Sequence, residues 1–319
     1  MTAPSGPSRG RHAALVAAAA LAVTALLWGS NHVAARSLHN ALPLPSLIFW
    51  RWLLALGLLT PIALPGLIRE WPQVRPRLPR LFALGISGIG LFSVFLYAGA
   101  YYSLALEVGL LTSTTPIWVV LMATLAGAPM VGRRQQIGIA LALVGVLIIV
   151  LKGSLASLAG MELRIGNLWS LLAAIVFAWY TMLLGAKPLG LSALTATAMT
   201  AWTGMISIIA PVYALFLLSG ATDPVLTGAQ SHQTTLVVLY IAIGPTLLGN
   251  LLWIYGASRL GAARSGPFLY LSPVAALVLS VTLLGEPLAP FQVVGAVAIL
   301  CGLAISNSGA KAPPPPPGA

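Results

Sequence analysis

Charged side chains are almost excluded from ten long apolar runs, and that exclusion decides what the chain can fold into. Of 319 residues, 59% are hydrophobic and only 7% are charged. A soluble domain carries about 25% charged residues. A chain so poor in charge cannot clothe a water-facing surface, and it is too apolar to stay disordered. The net charge of +11 does not indicate a nucleic-acid binder, because the basic residues are scattered between apolar runs. The lone cysteine, Cys301, excludes an intramolecular disulfide and a multi-cysteine zinc site. An integral membrane protein remains.

A spanning helix needs about 20 apolar residues. The sequence predicts ten such helices, at 14–35, 46–66, 80–104, 109–128, 135–151, 166–185, 192–219, 234–257, 264–284 and 289–308. They are long and do not alternate, so they read as helices and not as barrel strands. Arg9 and Arg11 ahead of the first run also suit a signal peptide. That run is longer than a signal core and holds Trp28, Ser30 and Asn31, so it is taken as a span. Basic residues mark the cytoplasmic side. With the N-terminus inside, Arg9, Arg11, Arg69, Arg75, Arg77, Arg80, Arg133, Arg134, Lys187, Arg259, Arg264 and Lys311 are cytoplasmic. Only Arg36, Lys152 and Arg164 are external, so both termini are expected in the cytoplasm.

The two halves match each other. At an offset of 157, Thr115-Pro116 falls on Ser272-Pro273, Gln135 on Gln292, Gly138 on Gly295, Leu143 on Leu300 and Gly145 on Gly302. At an offset of 151, Trp28 and Ser30 fall on Trp179 and Thr181. Each half holds five spans, an odd number, so the second must enter the membrane inverted, as in many secondary transporters. The expected organisation is a cytoplasmic segment 1–13, a five-helix repeat 14–152, an external linker 153–165, a second repeat 166–308 and a proline-rich tail 309–319.

This pattern resembles the drug/metabolite transporter superfamily, specifically its EamA-type repeats. Leu27-Trp28-Gly29-Ser30-Asn31 is similar to the family's first-helix stretch, and Arg51 stands where such repeats carry an arginine in helix 2. Pro273, Leu284-Gly285-Glu286-Pro287, Gly295 and Gly302 resemble the repeat ending; the first repeat has Gly127-Ala128-Pro129 in place of its Glu. Glu107-Val108-Gly109 with Pro116 resembles a stretch of the bacterial aromatic amino-acid exporters. Those exporters often carry aromatic residues just before the proline. Here Ser113, Thr114 and Thr115 stand there, which widens the expected range to more polar substrates.

No catalytic constellation and no phosphate-binding loop is visible, so neither an enzyme nor an ATP-driven pump is expected. No cofactor is expected. The five acids, Glu70, Glu107, Glu162, Asp223 and Glu286, fall in loops or at helix ends. His32, near the outer end of the first span, is the best candidate proton relay, although an interfacial imidazole suits its position better. Pro116, Pro211, Pro245 and Pro273 each free a carbonyl four residues earlier. Pro116, Pro245 and Pro273 are read as hinges or kinks, with Pro116 and Pro273 beside a cavity, and Pro211 as a simple kink. Trp50, Trp52 and Trp71 are read as interfacial anchors. Trp28, Asn31, Tyr97, Tyr101, Thr115, Trp118, Trp179, Tyr180, Asn250, Trp253 and Ser272 are the expected cavity wall. Tyr97 and Tyr101 share a helix face. Arg51 lies about 7.5 Å inside span 2. It could clamp a substrate carboxylate, but the span end is near enough to favour snorkelling.

The expectation is a monomeric bacterial inner-membrane carrier that exports amino acids or similar small metabolites by alternating access. Its partners are that small molecule and the lipid bilayer, not nucleic acid. A multidrug or nucleotide-sugar carrier is the alternative within the superfamily; a channel or membrane-embedded enzyme is the alternative outside it.

Overall fold

A computed structural model describes residues 7–38, 41–103, 108, 111–127, 132–151, 153–154, 156, 165–186, 188–272, 274–275, 278, 282 and 288–308. Among them there are helices, turns and loops but no strand. The principal helices are α1 (Pro7–Ser37), α2 (Leu44–Val74), α3 (Leu78–Leu84), α4 (Phe92–Tyr102), α5 (Thr115–Leu125), α6 (Arg133–Val150) and α7 (Ile165–Ala186). They continue with α8 (Ala193–Gly204), α9 (Ala210–Leu218), α10 (His232–Ile241), α11 (Gly249–Leu260), α12 (Ala262–Ser265) and α13 (Pro290–Ser308). Among the described residues, five stretches are long and apolar enough to cross a membrane: 13–31, 44–102, 165–186, 193–218 and 232–260. The chain is an all-helical, multi-pass membrane protein.

The stretch 44–102 is helical throughout yet folds back on itself. The Trp52 indole donates to the Ser93 hydroxyl at 3.2 Å, so α2 and α4 lie side by side. The reversal falls at a 3₁₀ turn, Arg75–Arg77, beside Pro72, Pro76 and Pro79, where missing N–H groups weaken the α ladder. Ser192 caps α8 by accepting from the Thr195 N–H, and Ser231 caps α10 by accepting from the Thr234 N–H. Gly261, at φ +79°, ends α11 in a conformation that few residues other than glycine adopt.

Three spans change register midway. A π-helical segment, Gly85–Leu91, joins α3 to α4; Met205–Ile209 joins α8 to α9; Ala242–Leu248 joins α10 to α11. The first and third are seven residues each and stand 157 positions apart. Such π segments widen a helix by one residue per turn and often mark functional positions. Pro245 sits inside the third, and Pro211 lies two residues past the second.

Close approach replaces large side chains at the crossings. A methyl added to Gly138 would meet the Ser306 amide at 2.4 Å and the Gly302 carbonyl at 2.5 Å. One added to Gly145 would meet the Gly295 carbonyl at 2.6 Å. Numbering rises along α6 as it falls along α13, so the two run antiparallel. α1 packs along α11, and α7 along α4 and α5. α8 packs on α2 and on the segment 85–91. Thr197, Thr200 and Thr203 each donate to the carbonyl four residues earlier, and the Thr203 hydroxyl also reaches the Leu81 carbonyl of α3 at 3.0 Å.

Two expectations change at this level. Pro116 does not kink a continuous helix: residues 113–114 form a turn and Pro116 opens α5, where a missing N–H costs nothing. Trp52 is not an interfacial anchor but is buried beneath α4. Pro61 and Pro65, passed over in the sequence reading, lie within α2. Pro273, the Leu284–Pro287 stretch, Glu107 and the His32 side chain fall outside the described residues.

Candidate functional site

The Arg51 side chain lies inside the protein. Its residue is only 6% exposed, so it does not snorkel. Two helical facts correct the sequence reading. α2 begins at Leu44, which sets Arg51 deeper than expected, and α4 and the segment 242–248 cover it. One terminal nitrogen donates to the Ser93 hydroxyl at 2.7 Å, and the other donates to the Thr246 hydroxyl at 3.3 Å. The guanidinium also lies 4.7 Å from the centre of the Tyr97 ring and 5.5 Å from that of Trp52. Its Nε is buried without a hydrogen-bond partner. Among the described residues no carboxylate lies within salt-bridge distance, the one ion pair being Arg69–Glu70.

Asn31 reaches the same ring from α1. Its Nδ2 donates to the Tyr97 hydroxyl at 3.4 Å, and its Oδ1 is buried without a partner. Asn250 joins from α11 by donating to the Thr246 carbonyl at 2.7 Å. That carbonyl lies in the π segment, whose altered ladder leaves it available. Trp28 uses the same opening, its indole donating to the Pro245 carbonyl at 3.0 Å. Asn31, Arg51, Tyr97, Asn250 and Trp28 thus gather where α1, α2, α4 and the segment 242–248 meet.

Beside this polar group lies an aromatic wall. Trp28 and Trp253 are 5.3 Å apart, and both contact Phe177, at 5.5 and 5.4 Å. Tyr180 continues the wall 5.4 Å from Phe177, its ring pressed on Gly88, where a Cβ would come within 2.3 Å. The Tyr180 hydroxyl and the Trp253 Nε1 are both buried without partners.

Other expected residues stand apart. Trp179 is 46% exposed, because α7 buries a stripe through Ala173, Phe177, Tyr180 and Leu184 that turns residue 179 outward. Tyr101 is 49% exposed and packs edge-on against Tyr102 at the end of α4. It shares a face with Tyr97, but the packing stops one turn short of it. On α5, the Thr115 hydroxyl donates to the Thr112 carbonyl that Pro116 leaves free, and the Trp118 indole donates to the Thr114 hydroxyl. Ser272 is half-buried beyond the 3₁₀ segment Gly266–Tyr270. Ser93, Thr246 and Phe177 were missed in the sequence. Ser93 is four residues before Tyr97 and Thr246 four before Asn250, so the same helix-face rule reaches both.

Two carboxylates fasten α2 to the α8–α9 span at opposite ends. Asp223, 2% exposed, accepts from the Trp50 indole, the Tyr213 hydroxyl and the Val225 N–H. Burial pushes its pKa up, but these hydrogen bonds outweigh it and hold the carboxyl below its usual value. Glu70 accepts from the Ser192 N–H at 2.9 Å. An open groove of about 730 Å³ lies elsewhere, between α1, α11 and residues 188–194, and holds none of the expected wall residues.

Comparison with known proteins agrees with this architecture. The profile of the EamA-like transporter family matches residues 15–151 and again residues 164–308. The "Probable amino-acid metabolite efflux pump" of Salmonella typhimurium is 27% identical, with 89% of this chain and 92% of that protein covered. The "Probable terminal-alkyne amino-acid exporter" of Streptantibioticus cattleyicolor is 28% identical over 90% of this chain and 92% of its own length. A crystal structure at 20% identity superposes with a TM-score of 0.71 over 93% of this chain and 97% of the other. That likeness shows the fold.

Proposed function

The chain belongs to the EamA-like transporter family, and from that premise we propose that it exports neutral or aromatic amino acids, or similar small metabolites, by alternating access. Ten spans in two inverted five-helix repeats carry the mechanism, with both termini in the cytoplasm of a bacterial inner membrane. The relatives' names support the substrate class.

One observation carries the mechanism. Gly138 corresponds to Gly295 and Gly145 to Gly302 at the offset of 157. The contacts run from Gly138 to Gly302 and from Gly145 to Gly295. Exchanging each residue for its equivalent turns one contact into the other. A two-fold axis between antiparallel helices has this property, and it is the symmetry an inverted repeat requires. The π segments 85–91 and 242–248, at the same offset, support the same axis. The half carrying α1 and the half carrying α7 then rock about it. Pro245, within a π segment, is the best-supported hinge; Pro116 and Pro273 are its proposed companions. Trp28, Asn31, Tyr97, Tyr180, Asn250 and Trp253 are the proposed wall of the path.

Efflux from proteoliposomes loaded with each amino acid in turn, with and without a pH gradient, tests the reading. Saturable efflux of at least one amino acid is expected. Absence of flux for all of them would sink the substrate class and leave the fold standing.

A further inference from the structure

The Arg51 group holds two unmet demands within reach of one ring. A buried arginine is expensive unless an anion neutralises it. Here its partners are neutral: two hydroxyls and two aromatic rings. Its Nε is unpaired, and Ser93 accepts from both Arg51 and Trp52. The second demand is the Asn31 Oδ1, a buried acceptor without a donor. Asn31 sits at the hydroxyl of Tyr97 while the guanidinium sits against its ring. Among the described residues, a cation lacking an anion and an acceptor lacking a donor therefore flank the same side chain.

We propose that Arg51 receives the substrate's carboxylate and that the Asn31 Oδ1 receives its α-ammonium, so the carrier recognises α-amino acids by their shared backbone. This deepens the transport reading and rests on it. The guanidinium fork matches a carboxylate's two oxygens. An ammonium supplies the donors that a bare amide oxygen lacks. The two substrate charges are separated by a single carbon, which suits two receptors arranged about one phenol ring. The substrate's own side chain is left to Trp28, Trp253 and Phe177, which offer apolar faces and make no charge selection. The grip is therefore specific for the zwitterion and permissive for what it carries.

The test uses purified full-length protein and three probes: L-phenylalanine, 3-phenylpropionate, which lacks the ammonium, and phenethylamine, which lacks the carboxylate. Binding is read as a thermal shift and as competition against labelled L-phenylalanine efflux. In the wild type, each truncated probe is expected to bind about tenfold or more weaker than L-phenylalanine. Asn31→Leu should weaken L-phenylalanine to the level of 3-phenylpropionate and leave 3-phenylpropionate unchanged. Arg51→Gln should abolish the preference for carboxylates, and Arg51→Lys should restore part of it. A merely structural role would move all probes together. Equal binding of the three probes by the wild type, no binding of any, or variants that keep the wild-type preference would each overturn the proposal. Binding with this pattern but without flux would support the site and refute the export reading, so the two failures are distinguishable.

Discussion

Gly138→Ala probes the crossing of α6 and α13 with the smallest possible side chain. The added Cβ would sit 2.4 Å from the Ser306 amide nitrogen, 2.5 Å from the Gly302 carbonyl oxygen and 2.7 Å from the Ser306 Cα. Ordinary contact begins near 3.4 Å, so the helices must separate by roughly 1 Å. All three atoms are backbone, so no side chain can swing away. Overpacking of this kind costs about 1–3 kcal/mol, and within a membrane close packing is the main force between helices. Gly57→Ala is the control, because nothing lies within 4 Å of its position in α2. There the substitution should stabilise by about 0.5–1 kcal/mol through helix propensity alone. Thermal unfolding in detergent, followed by tryptophan fluorescence, should place Gly138→Ala below the wild type by about 2 °C per kcal/mol and Gly57→Ala slightly above. Gly295→Ala, its equivalent, should move in the same direction as Gly138→Ala. A Gly138→Ala midpoint at or above that of the wild type would refute the crossing.

Asp223 is held below its usual pKa, so its share of stability is complete above the unfolded value of about 3.9 and is lost as pH falls through the folded one. Asp223→Asn should cost about 1.5–3 kcal/mol at neutral pH and flatten the acid limb of the melting curve below pH 4; an acid limb identical to the wild type's would dismiss the clasp. Tyr180→Phe removes a buried hydroxyl that has no partner. It should leave the melting temperature unchanged or raise it by about 1 kcal/mol equivalent, and a clear loss of stability would mean that the hydroxyl has a partner after all. The Arg69 side chain, by contrast, is exposed where it pairs with Glu70 at 3.6 Å, so the ion pair should contribute under about 1 kcal/mol, and Arg69→Ala should melt like the wild type.

Helix positions were legible because a span writes itself as a run of apolar residues. α7, expected at 166–185, is helical over Ile165–Ala186. Glycines at crossings were legible as well, since spacing by two turns survives any rotation of the helix. What escaped was whatever depends on neighbours. Arg51 was judged by its distance to a helix end, and nothing in α2 itself says that α4 and residues 242–248 close over it. Trp28 and Trp179 look equivalent in sequence, yet Trp28 donates into a neighbouring π segment while Trp179 faces away from the bundle. The π segments have no composition signal of their own. Two hold glycines and one holds Pro245, but Met205-Ile206-Ser207-Ile208-Ile209 reads as an ordinary span.

Counterflow tests the central claim most directly. Proteoliposomes are loaded with unlabelled amino acid and diluted into a trace of the labelled form, with no other gradient. A carrier that exposes one site alternately to each side must accumulate label transiently above its external concentration and saturate as substrate rises. That overshoot is the predicted result. Linear, non-saturable entry without overshoot would identify an open pathway and contradict alternating access.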